Sequence, residues 1–458
     1  MLDSIPWSPP WRAVALKTTP QQQEQVISKP DLITRDEHGI DTRQLCSSAT
    51  EVVASLQQAG YEAYIVGGSV RDLLLGERPK DFDVATDATP EEVKAVFPRC
   101  RLIGRRFRLA HVRMRGALLE VATFRGQGGQ APGHQDDDGR ILRDNVWGSV
   151  EEDAVRRDFT INALFMDPVN GEIRDYVGGF RDLQQRSLRL IGDPEIRYRE
   201  DPVRLLRAAR FAAKLGVTLE PATAAPMAAV APRLEQIPPA RLFEEVCKLF
   251  LTGHAGRTVD ALQQFGLMRY LFPVLPAGDD VGVARLHPVV QRATESTDRR
   301  IAEGKSVTPA FLIAAVLWEP LLERIAPLEA AGMPAYQAME EAADALLAEQ
   351  LQRTAIPRRF SAVTRQIWLN QLRLKRTRGA RALTVMSQPR FRAAYDFLLI
   401  RALDEPELQE LADFWTQAQQ ERPDLVETAA PTKRRRRRRG GRGRGRKRPE
   451  GVNPGTDS

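Results

Sequence analysis

Cysteine and histidine are scarce in this chain, which has three cysteines and five histidines among its 458 residues. The cysteines, Cys46, Cys100 and Cys247, lie far apart, as in a protein that is kept reduced in the cytosol. Neither residue type has the spacing of a zinc-binding motif, so we expect no structural zinc site. The sequence therefore predicts a cytoplasmic protein without a disulfide framework.

Long apolar runs are also missing. No stretch approaches the roughly 18 uninterrupted apolar residues that a membrane helix needs, and residues 1–10 lack the apolar region of a signal peptide. Hydrophobic residues make up 42% of the chain and charged residues 28%, which are the proportions of a soluble globular protein. A chain of this length is expected to form about two to four domains.

Acidic residues almost disappear near the end of the chain. Residues 433–448 contain twelve Lys or Arg and no acid, and Glu450 and Asp457 are the only acids that follow. This excess of ten positive charges is larger than the +7 of the whole chain, so residues 1–432 carry a net charge of −3. The run of six arginines and the Arg-Gly alternation predict a disordered tail that binds polyanions nonspecifically.

The segment richest in chemical signals begins with a predicted buried strand at residues 64–66, which are β-branched and aromatic. Gly67 and Gly68 follow and allow the backbone to turn sharply and to approach a ligand closely. Ser69 is predicted to be the N-cap of a short helix over residues 70–75. Free backbone N–H groups and the helix dipole would then form an anion site at the turn.

Two aspartates follow this helix. Residues two apart in a strand share a face, so the carboxylates of Asp81 and Asp83 are predicted to lie side by side. Such a pair is costly without a cation, and Mg²⁺ prefers oxygen ligands beside substrate phosphates. A lone Gly-Gly pair is usually a turn, and a lone Asp-x-Asp is usually a solvated loop. Their combination, with Arg71 and Asp72 on the intervening helix, favours nucleotide chemistry.

This combination resembles the signature of the nucleotidyltransferase superfamily, in the branch that holds the bacterial poly(A) polymerases and the CCA-adding enzymes. The resemblance covers about residues 35–425 and implies that Gly67, Gly68, Ser69 and Arg71 bind the triphosphate of a nucleotide, with Asp72 beside them. The one departure is Ser69, where some relatives have glycine, and serine can still cap the helix.

A second block, Val-Arg-Arg-Asp-Phe-Thr-Ile-Asn-Ala-Leu-Phe, spans residues 155–165. Its arginines offer forked donors to phosphate oxygens, although a surface ion-pair cluster is the alternative. The block is similar to a family motif nearly letter for letter, which implies that Arg156, Arg157, Asp158 and Asn162 position the nucleotide and its sugar. For Asp158, direct catalysis and the mere orientation of Arg156 or Arg157 both stay open.

Glu120 lies in a predicted hairpin of two strands, at residues 102–112 and 118–124. A carboxylate in a largely apolar strand is costly unless it is paired or bound to metal, and the pattern alone slightly favours a surface-facing glutamate. The resemblance implies instead that Glu120 is the third acidic metal ligand beside the two aspartates. The acidic loop of residues 136–138 is predicted to be solvated.

A basic stripe lies on a helix that is predicted to start with Asp201 as N-cap and to end at Gly216. The pattern alone is typical of an amphipathic helix with a solvated basic face. Glu200-Asp201-x-x-Arg204, however, resembles the base-reading element of the family, in which an Asp carboxylate accepts from the adenine N6 amino group and a guanidinium donates to N1. The nucleotide-binding residues implied here are Glu200, Asp201, Arg204, Arg207 and Arg210.

The predicted fold is α+β: an N-terminal nucleotidyltransferase head with a small mixed β-sheet flanked by helices, followed by all-α neck, body and leg domains and a disordered basic tail. Helices are predicted at residues 240–251, 336–353, 362–374 and 390–403. The predicted divisions are a disordered extension (1–35), the catalytic head (36–187), the neck with its base-binding helix (188–250), the RNA-binding body and Arg-rich C-terminal domain (251–425) and the basic tail (426–458).

The resemblance implies untemplated transfer of AMP from ATP to RNA 3′ ends, with release of pyrophosphate. Two Mg²⁺ ions, or Mn²⁺ in their place, would be held by Asp81, Asp83 and Glu120. Residues 104–112 are similar to the segment that marks bacterial poly(A) polymerases, so a CCA-adding enzyme is the alternative and an RNA-binding adaptor is the non-enzymatic one. The expected partners are ATP, RNA 3′ ends and candidate RNA-decay or RNA-chaperone proteins, and the chain is expected to be monomeric.

Overall fold

The computed structural model describes residues 29–104, 108–126, 146–278, 283–378 and 382–425. The acidic loop of residues 136–138, the basic tail and part of the segment 104–112 lie outside these residues. Residues 31–33 form a strand, so the disordered extension predicted over 1–35 ends too late. In the part of the chain that is described, no helix combines the length and apolar character needed to cross a membrane.

Eight of the described strands form one mixed sheet in the order β1-β8-β7-β2-β3-β6-β5-β4, and β9 and β10 pair in parallel outside it. All neighbours in the large sheet are antiparallel except β3 and β6, which are parallel. The strands are β1 (Asp31–Ile33), β2 (Ala63–Val66), β3 (Asp83–Thr86), β4 (Cys100–Ile103), β5 (Leu109–Met114), β6 (Ala117–Thr123), β7 (Leu164–Met166), β8 (Ile173–Asp175), β9 (Ser187–Leu188) and β10 (Thr218–Leu219).

Helices surround this sheet and make up nearly all of the later chain. The α-helices are α1 (Arg35–His38), α2 (Ser47–Gln58), α3 (Gly68–Leu74), α4 (Pro90–Val96), α5 (Val150–Arg156), α6 (Gly179–Gln184), α7 (Pro194–Glu200), α8 (Val203–Leu215), α9 (Pro221–Ala224), α10 (Met227–Val230), α11 (Pro239–Phe250), α12 (Ala255–Gln264), α13 (Met268–Leu271), α14 (Val289–Ala302), α15 (Pro309–Val316), α16 (Trp318–Ala330), α17 (Ala335–Arg353), α18 (Arg358–Leu374), α19 (Phe391–Ala402) and α20 (Gln409–Glu421). Short 3₁₀ helices lie at Thr42–Gln44, Thr160–Asn162, Ala231–Gln236, Ala382–Ser387 and Pro406–Leu408.

The α+β fold predicted from the sequence is confirmed. The four helices predicted in the later chain correspond to α11, α17, α18 and α19 within a few residues at each end. The predicted two-strand hairpin is a three-stranded meander instead, because Gly104 ends β4 before β5 begins.

The large sheet is covered on both faces by apolar side chains. On one face, Val52 and Leu56 of α2 pack with Val84 and Val121 of the sheet. On the other, Tyr64, Phe124 and Phe165 form an aromatic cluster. Because successive strand residues alternate between faces, Asp83 and Glu120 lie on the face of the aromatic cluster. That face carries the candidate site.

A larger core holds the neck and body together. It begins with Phe159 and Tyr198 and continues through α8 and α11 to the fully buried Trp318 and Trp368. The Trp368 indole N–H donates to the carbonyl of Ala314 at 3.0 Å, which satisfies its only polar atom inside the core. The neck is therefore packed firmly between the head and the later helices.

Candidate active site

The Gly-Gly turn connects β2 directly to α3. Gly67 is the N-cap residue with φ of +71°, and the helix begins at Gly68. The prediction that Ser69 is the N-cap is therefore wrong: Ser69 lies in the first turn, and its Oγ donates to the carbonyl of Val66 at 3.1 Å. Glycine suits this position because a positive φ is strained in residues that have a Cβ. A Cβ at Gly67 would also meet Arg157 Nη1 at 3.3 Å.

The candidate metal carboxylates come from neighbouring strands. Asp83 is the first residue of β3, and its parallel partner across the sheet is Glu120 of β6. Asp81 precedes the strand, so the prediction that one strand carries both aspartates holds only for Asp83. Desolvation by the surrounding protein atoms raises the pKa of the Asp83 carboxyl. The charges of Glu120 and Asp81 raise this pKa further, whereas the charge of Arg157 lowers it. Asp83 is therefore close enough to Glu120 and to Asp81 for their charges to act on it.

This donor set fits a hard divalent cation. Among the described residues, no group of three His, Cys, Asp or Glu side chains could hold a metal ion through protein ligands alone. Mg²⁺ does not need such a cage, because it uses one or two carboxylates and completes its octahedron with water and substrate phosphate. Desolvation raises the pKa of Asp83 most, and the charges of Glu120 and Asp81 add to it; a bound cation would offset this repulsion between carboxylates.

Glu120 is largely exposed, with 55% of its side-chain surface accessible. Its Oε1 lies 3.4 Å from Nε2 of His111, which is opposite it on β5. The exposure agrees with the surface-facing orientation that the pattern favours, and the register agrees with the metal role that the resemblance implies. The role of Glu120 as a metal ligand stays a prediction.

Arg156 and Arg157, which we call the arginine block, lie at the C-terminal end of α5. Arg157 follows the last residue of α5, and its Nη2 lies 2.8 Å from Asp153 Oδ2. Its guanidinium also stacks on Phe165 at 4.8 Å from the ring centre and donates through Nη1 to the carbonyl of Asn162. Arg156 Nη1 donates to the carbonyl of Gly126 at 2.7 Å. Both arginines thus have fixed partners beside the Gly-Gly turn.

Asp158 does not orient either of these arginines. Its Oδ2 accepts from Arg207 Nε at 2.6 Å, and its Oδ1 accepts from Asn162 Nδ2 and from the backbone N–H of Phe159. The proposed orientation of Arg156 or Arg157 by Asp158 is therefore wrong. Burial raises the pKa of Asp158, but the Arg207 charge and these hydrogen bonds outweigh burial and lower it to about 2. Asp158 is an ionised link between the head and α8.

The basic stripe on α8 is not a solvated face. Arg204 is only 9% exposed, and its Nη1 donates to Glu200 Oε2 at 2.9 Å and to the carbonyl of Arg197 at 2.6 Å. Pro202 rather than Asp201 is the N-cap of α8. The helix therefore starts one residue later than predicted, and Asp201 accepts from Arg241 of α11 at 2.7 Å. The candidate base-reading groups are held by ion pairs from two helices.

Phe211 gathers three guanidinium groups at the junction of head and neck. Those of Arg71, Arg207 and Arg210 lie 5.2, 5.4 and 4.6 Å from its ring centre. Arg71 is almost fully buried and also pairs with Asp72. Cation–π contact of this kind orients guanidinium planes and leaves their edges as donors. The structure thus brings Arg71 together with the predicted residues of α8.

Three residues of this site carried no sequence signal. Arg197 donates from Nη2 to the carbonyls of Arg156 and Arg157, each at 2.7 Å. Burial, with the nearby Arg204 charge, lowers the pKa of Arg197 to about 10, and Glu200 keeps it paired. Arg241 and Phe211 complete the set. Each acts through a partner tens of residues away or lies in an ordinary amphipathic pattern, so only the fold reveals them.

Comparison with known domain families divides the chain into three matched regions. Residues 63–189 match the "Poly A polymerase head domain", and this region contains the candidate metal carboxylates Asp81, Asp83 and Glu120. Residues 216–277 match the "Probable RNA and SrmB- binding site of polymerase A". Residues 331–449 match the "Polymerase A arginine-rich C-terminus".

Similar proteins align with this chain over different shares of its length. Poly(A) polymerase I of Salmonella typhi is 45% identical over 433 residues, which are 90% of this chain and 93% of that protein. The CCA-adding enzyme of Geobacillus stearothermophilus is 40% identical over 223 residues, 49% of this chain and 54% of that protein. The crystal structure of the Bacillus stearothermophilus CCA-adding enzyme in complex with CTP has a TM-score of 0.53 and 26% identity over 82% of each chain.

Proposed function

The chain belongs to the poly(A) polymerase family of nucleotidyltransferases, and we propose that it is a polynucleotide adenylyltransferase that adds AMP from ATP, without a template, to RNA 3′ ends. The carrying observation is the match over nearly the full length of poly(A) polymerase I, which includes the arginine-rich C-terminus. Pyrophosphate is the other product. The biological role that follows is polyadenylation of mRNA that promotes RNA processing and decay.

The nucleotide is proposed to bind between the Gly-Gly turn and α8. Gly68 is half-buried at the start of α3, Arg71 lies beside it, and Arg157 lies beside the buried Gly67, both arginines with fixed orientations. Positive groups held in advance at the triphosphate stabilise the charge that develops on phosphate oxygens during transfer. Asp158 then serves as a positioning residue, because both of its oxygens are occupied by Arg207, Asn162 and backbone.

The cofactor is proposed to be two Mg²⁺ ions, or Mn²⁺, held by Asp81, Asp83 and Glu120. When bound, such ions lower the pKa of the RNA 3′-hydroxyl and neutralise charge on the triphosphate and on the leaving pyrophosphate. The chain's own contribution is the register of β3 and β6, which brings two of the three carboxylates opposite each other.

Adenine selection is proposed to depend on the start of α8. Asp201 can accept from the N6 amino group, and Arg204 can donate to N1. Both side chains are held by ion pairs, with Arg241 and Glu200 respectively. Fixed donors and acceptors discriminate between bases because a wrong base leaves a buried polar group unpaired.

A CCA-adding enzyme is the second candidate, and one experiment separates the two. The purified chain is incubated with an unstructured RNA or a tRNA that lacks its CCA end, and with each labelled nucleotide in turn. We expect long A tracts from ATP on both RNAs and little incorporation of CTP. A product that stops after CCA on tRNA alone would refute the proposed function, and no incorporation at all would favour the RNA-binding adaptor.

The remaining assignments follow the same proposal. The head is proposed to span residues 36–187, the neck 188–250 and the RNA-binding body with the Arg-rich domain 251–425, with the basic tail after them. RNA-decay or RNA-chaperone proteins are proposed as partners of a monomeric, cytoplasmic enzyme.

A further inference from the structure

A cavity lies beside the loop that connects α3 to β3. Its volume is about 560 Å³, and we call it the loop cavity. It is lined by residues from two segments: residues 43–46, ahead of α2, and Gly76, Arg78, Pro79, Lys80 and Phe82, between α3 and β3. None of the candidate nucleotide-binding residues lines it.

The rim of the loop cavity is cationic and its floor is apolar. Arg78 and Lys80 are exposed on the rim and make no hydrogen bond or ion pair within the described residues. The third rim cation, Arg43, is paired with Asp41 at 2.7 Å. Leu45 and the half-buried Phe82 lie in its lining. Unpaired cations beside an aromatic ring match a ligand that has both phosphates and flat bases.

A neighbouring cavity of about 460 Å³ shares Arg43 and Leu45 with the loop cavity. The second cavity is lined also by Thr50 and Arg115, and its one acid, Glu51, is paired with Arg115. Two adjoining cavities with a shared wall suit an extended chain better than a single mononucleotide.

From this geometry we propose that the loop cavity binds the single-stranded RNA acceptor just upstream of its 3′ end. The inference rests on the proposed function, since it requires a 3′ end at Asp81. The lining residues Leu45 and Phe82 pack on the α2 face of the sheet, opposite the face of Asp83 and Glu120. Lys80 and Phe82 are the chain neighbours of Asp81, which precedes β3, so an RNA strand that passes around the start of β3 to the carboxylates crosses the cavity rim. Phosphates then contact Arg78 and Lys80, and a base stacks on Phe82.

The first test is the double variant Arg78→Ala/Lys80→Ala in the full-length chain. The KM for an oligoadenylate acceptor is expected to rise about tenfold, with the KM for ATP unchanged. Because each lost phosphate contact on a single strand lowers the slope of log affinity against log salt by about 0.7, the slope is expected to flatten by about 1.4. The matched control, Lys94→Ala/Arg99→Ala, removes two exposed charges at α4 and is expected to leave both values unchanged.

A second variant tests stacking. Phe82→Leu keeps an apolar side chain against the core but removes the flat ring, and it is expected to raise the KM for RNA about fivefold. An RNA with 4-thiouridine next to its 3′ end is expected to crosslink to residues 43–46 or 76–82, while the same probe placed ten nucleotides upstream is not.

The outcomes separate this inference from the proposed function. If the unaltered chain incorporates AMP but both variants keep the KM for RNA, or if the crosslinks fall only outside these two segments, the RNA site is wrong and the enzyme assignment stands. A rise in the KM for ATP alone would identify a nucleotide site instead and would equally refute the inference. If the unaltered chain incorporates no AMP, the proposed function fails first.

Discussion

Individual residues at this site have unequal roles, and Asp83 is the carboxylate on which the charges of its acidic neighbours act. Desolvation raises the pKa of Asp83 most, and its neighbours Glu120 and Asp81 both raise it further. These residues could be recognised from the sequence because the Asp-x-Asp and Gly-Gly signals are local. The pairing of Asp83 with Glu120 could not be derived from spacing alone, since it depends on a crossover that brings β6 beside β3.

Replacing Asp81 tests the metal proposal. Asp81→Ala is expected to lower incorporation of labelled ATP by about a thousandfold or more, because a lost metal ligand removes several kcal/mol of transition-state stabilisation. Asp81 is exposed and precedes β3, so the fold is expected to survive. Circular dichroism checks the fold, and Asp87→Ala, an exposed aspartate just after β3, is the control. Full activity in Asp81→Ala would remove the metal proposal.

Replacing Arg204 tests base selection. Arg204→Ala is expected to reduce the preference for ATP over CTP by about tenfold or more, because the donor to adenine N1 is lost. Its ion pair with Glu200 also supports the neck, so the ratio of incorporation rates is the informative measurement and total activity is not. Arg199→Ala, at an exposed pair on α7, is the control. An unchanged ratio would show that Arg204 does not read the base.

At the scale of elements, α8 is joined to the head through charge rather than through apolar packing alone. Asp158 and Arg207 are 49 positions apart in the sequence and yet form an ion pair that links the arginine block to the neck. The basic stripe on α8 was visible in the sequence, but its partners were not. A helical pattern shows which side chains share a face and cannot show what covers that face, so the solvated face was the wrong interpretation.

This link makes the junction sensitive to acid. The pKa of Asp158 is about 2 in the folded chain, below its ordinary value of 3.8. The pair therefore stabilises the folded state fully above pH of about 4, by about 2 kcal/mol, and this contribution is lost as the pH falls toward 2. Asp158→Asn is expected to lower the melting temperature at pH 7. The gap to the unaltered chain is expected to narrow between pH 4 and pH 2.

The matched control is Asp87→Asn, which changes an exposed carboxylate. If the gap in melting temperature between Asp158→Asn and the unaltered chain were constant from pH 7 to pH 2, the ion pair would not be the cause of the stability difference.

Arg197 of α7 makes a second contact between elements of the site. Arg197 binds the carbonyls of Arg156 and Arg157 and so fixes the backbone from which both side chains project. Arg197→Lys keeps the charge but cannot make the forked contact. It is expected to raise the KM for ATP by about tenfold and to leave the preference for ATP over CTP unchanged. A changed base preference with an unchanged KM would assign Arg197 to base reading instead.

At the scale of the whole molecule, the charge is divided between a slightly acidic chain and a strongly basic tail. Composition alone predicted this division. Deleting residues 430–458 is expected to weaken RNA binding and to make the remaining binding less dependent on salt, because up to twelve cations are removed. Incorporation of AMP at saturating RNA is expected to persist. Loss of catalysis in a truncated chain that still folds would contradict this prediction and would place the tail in the chemistry.

The parallel pairing of β3 with β6 has a consequence for how this molecule tolerates change. The chain between the two strands contains α4, β4 and β5, all packed on or beside the same sheet. Because the ladder between β3 and β6 fixes where Asp83 meets Glu120, extra residues in the turns of that excursion would leave the carboxylate spacing as it is. Insertions in the turn of residues 115–116, between β5 and β6, are therefore expected to alter the outline of the head while the separation of its acidic groups stays unchanged.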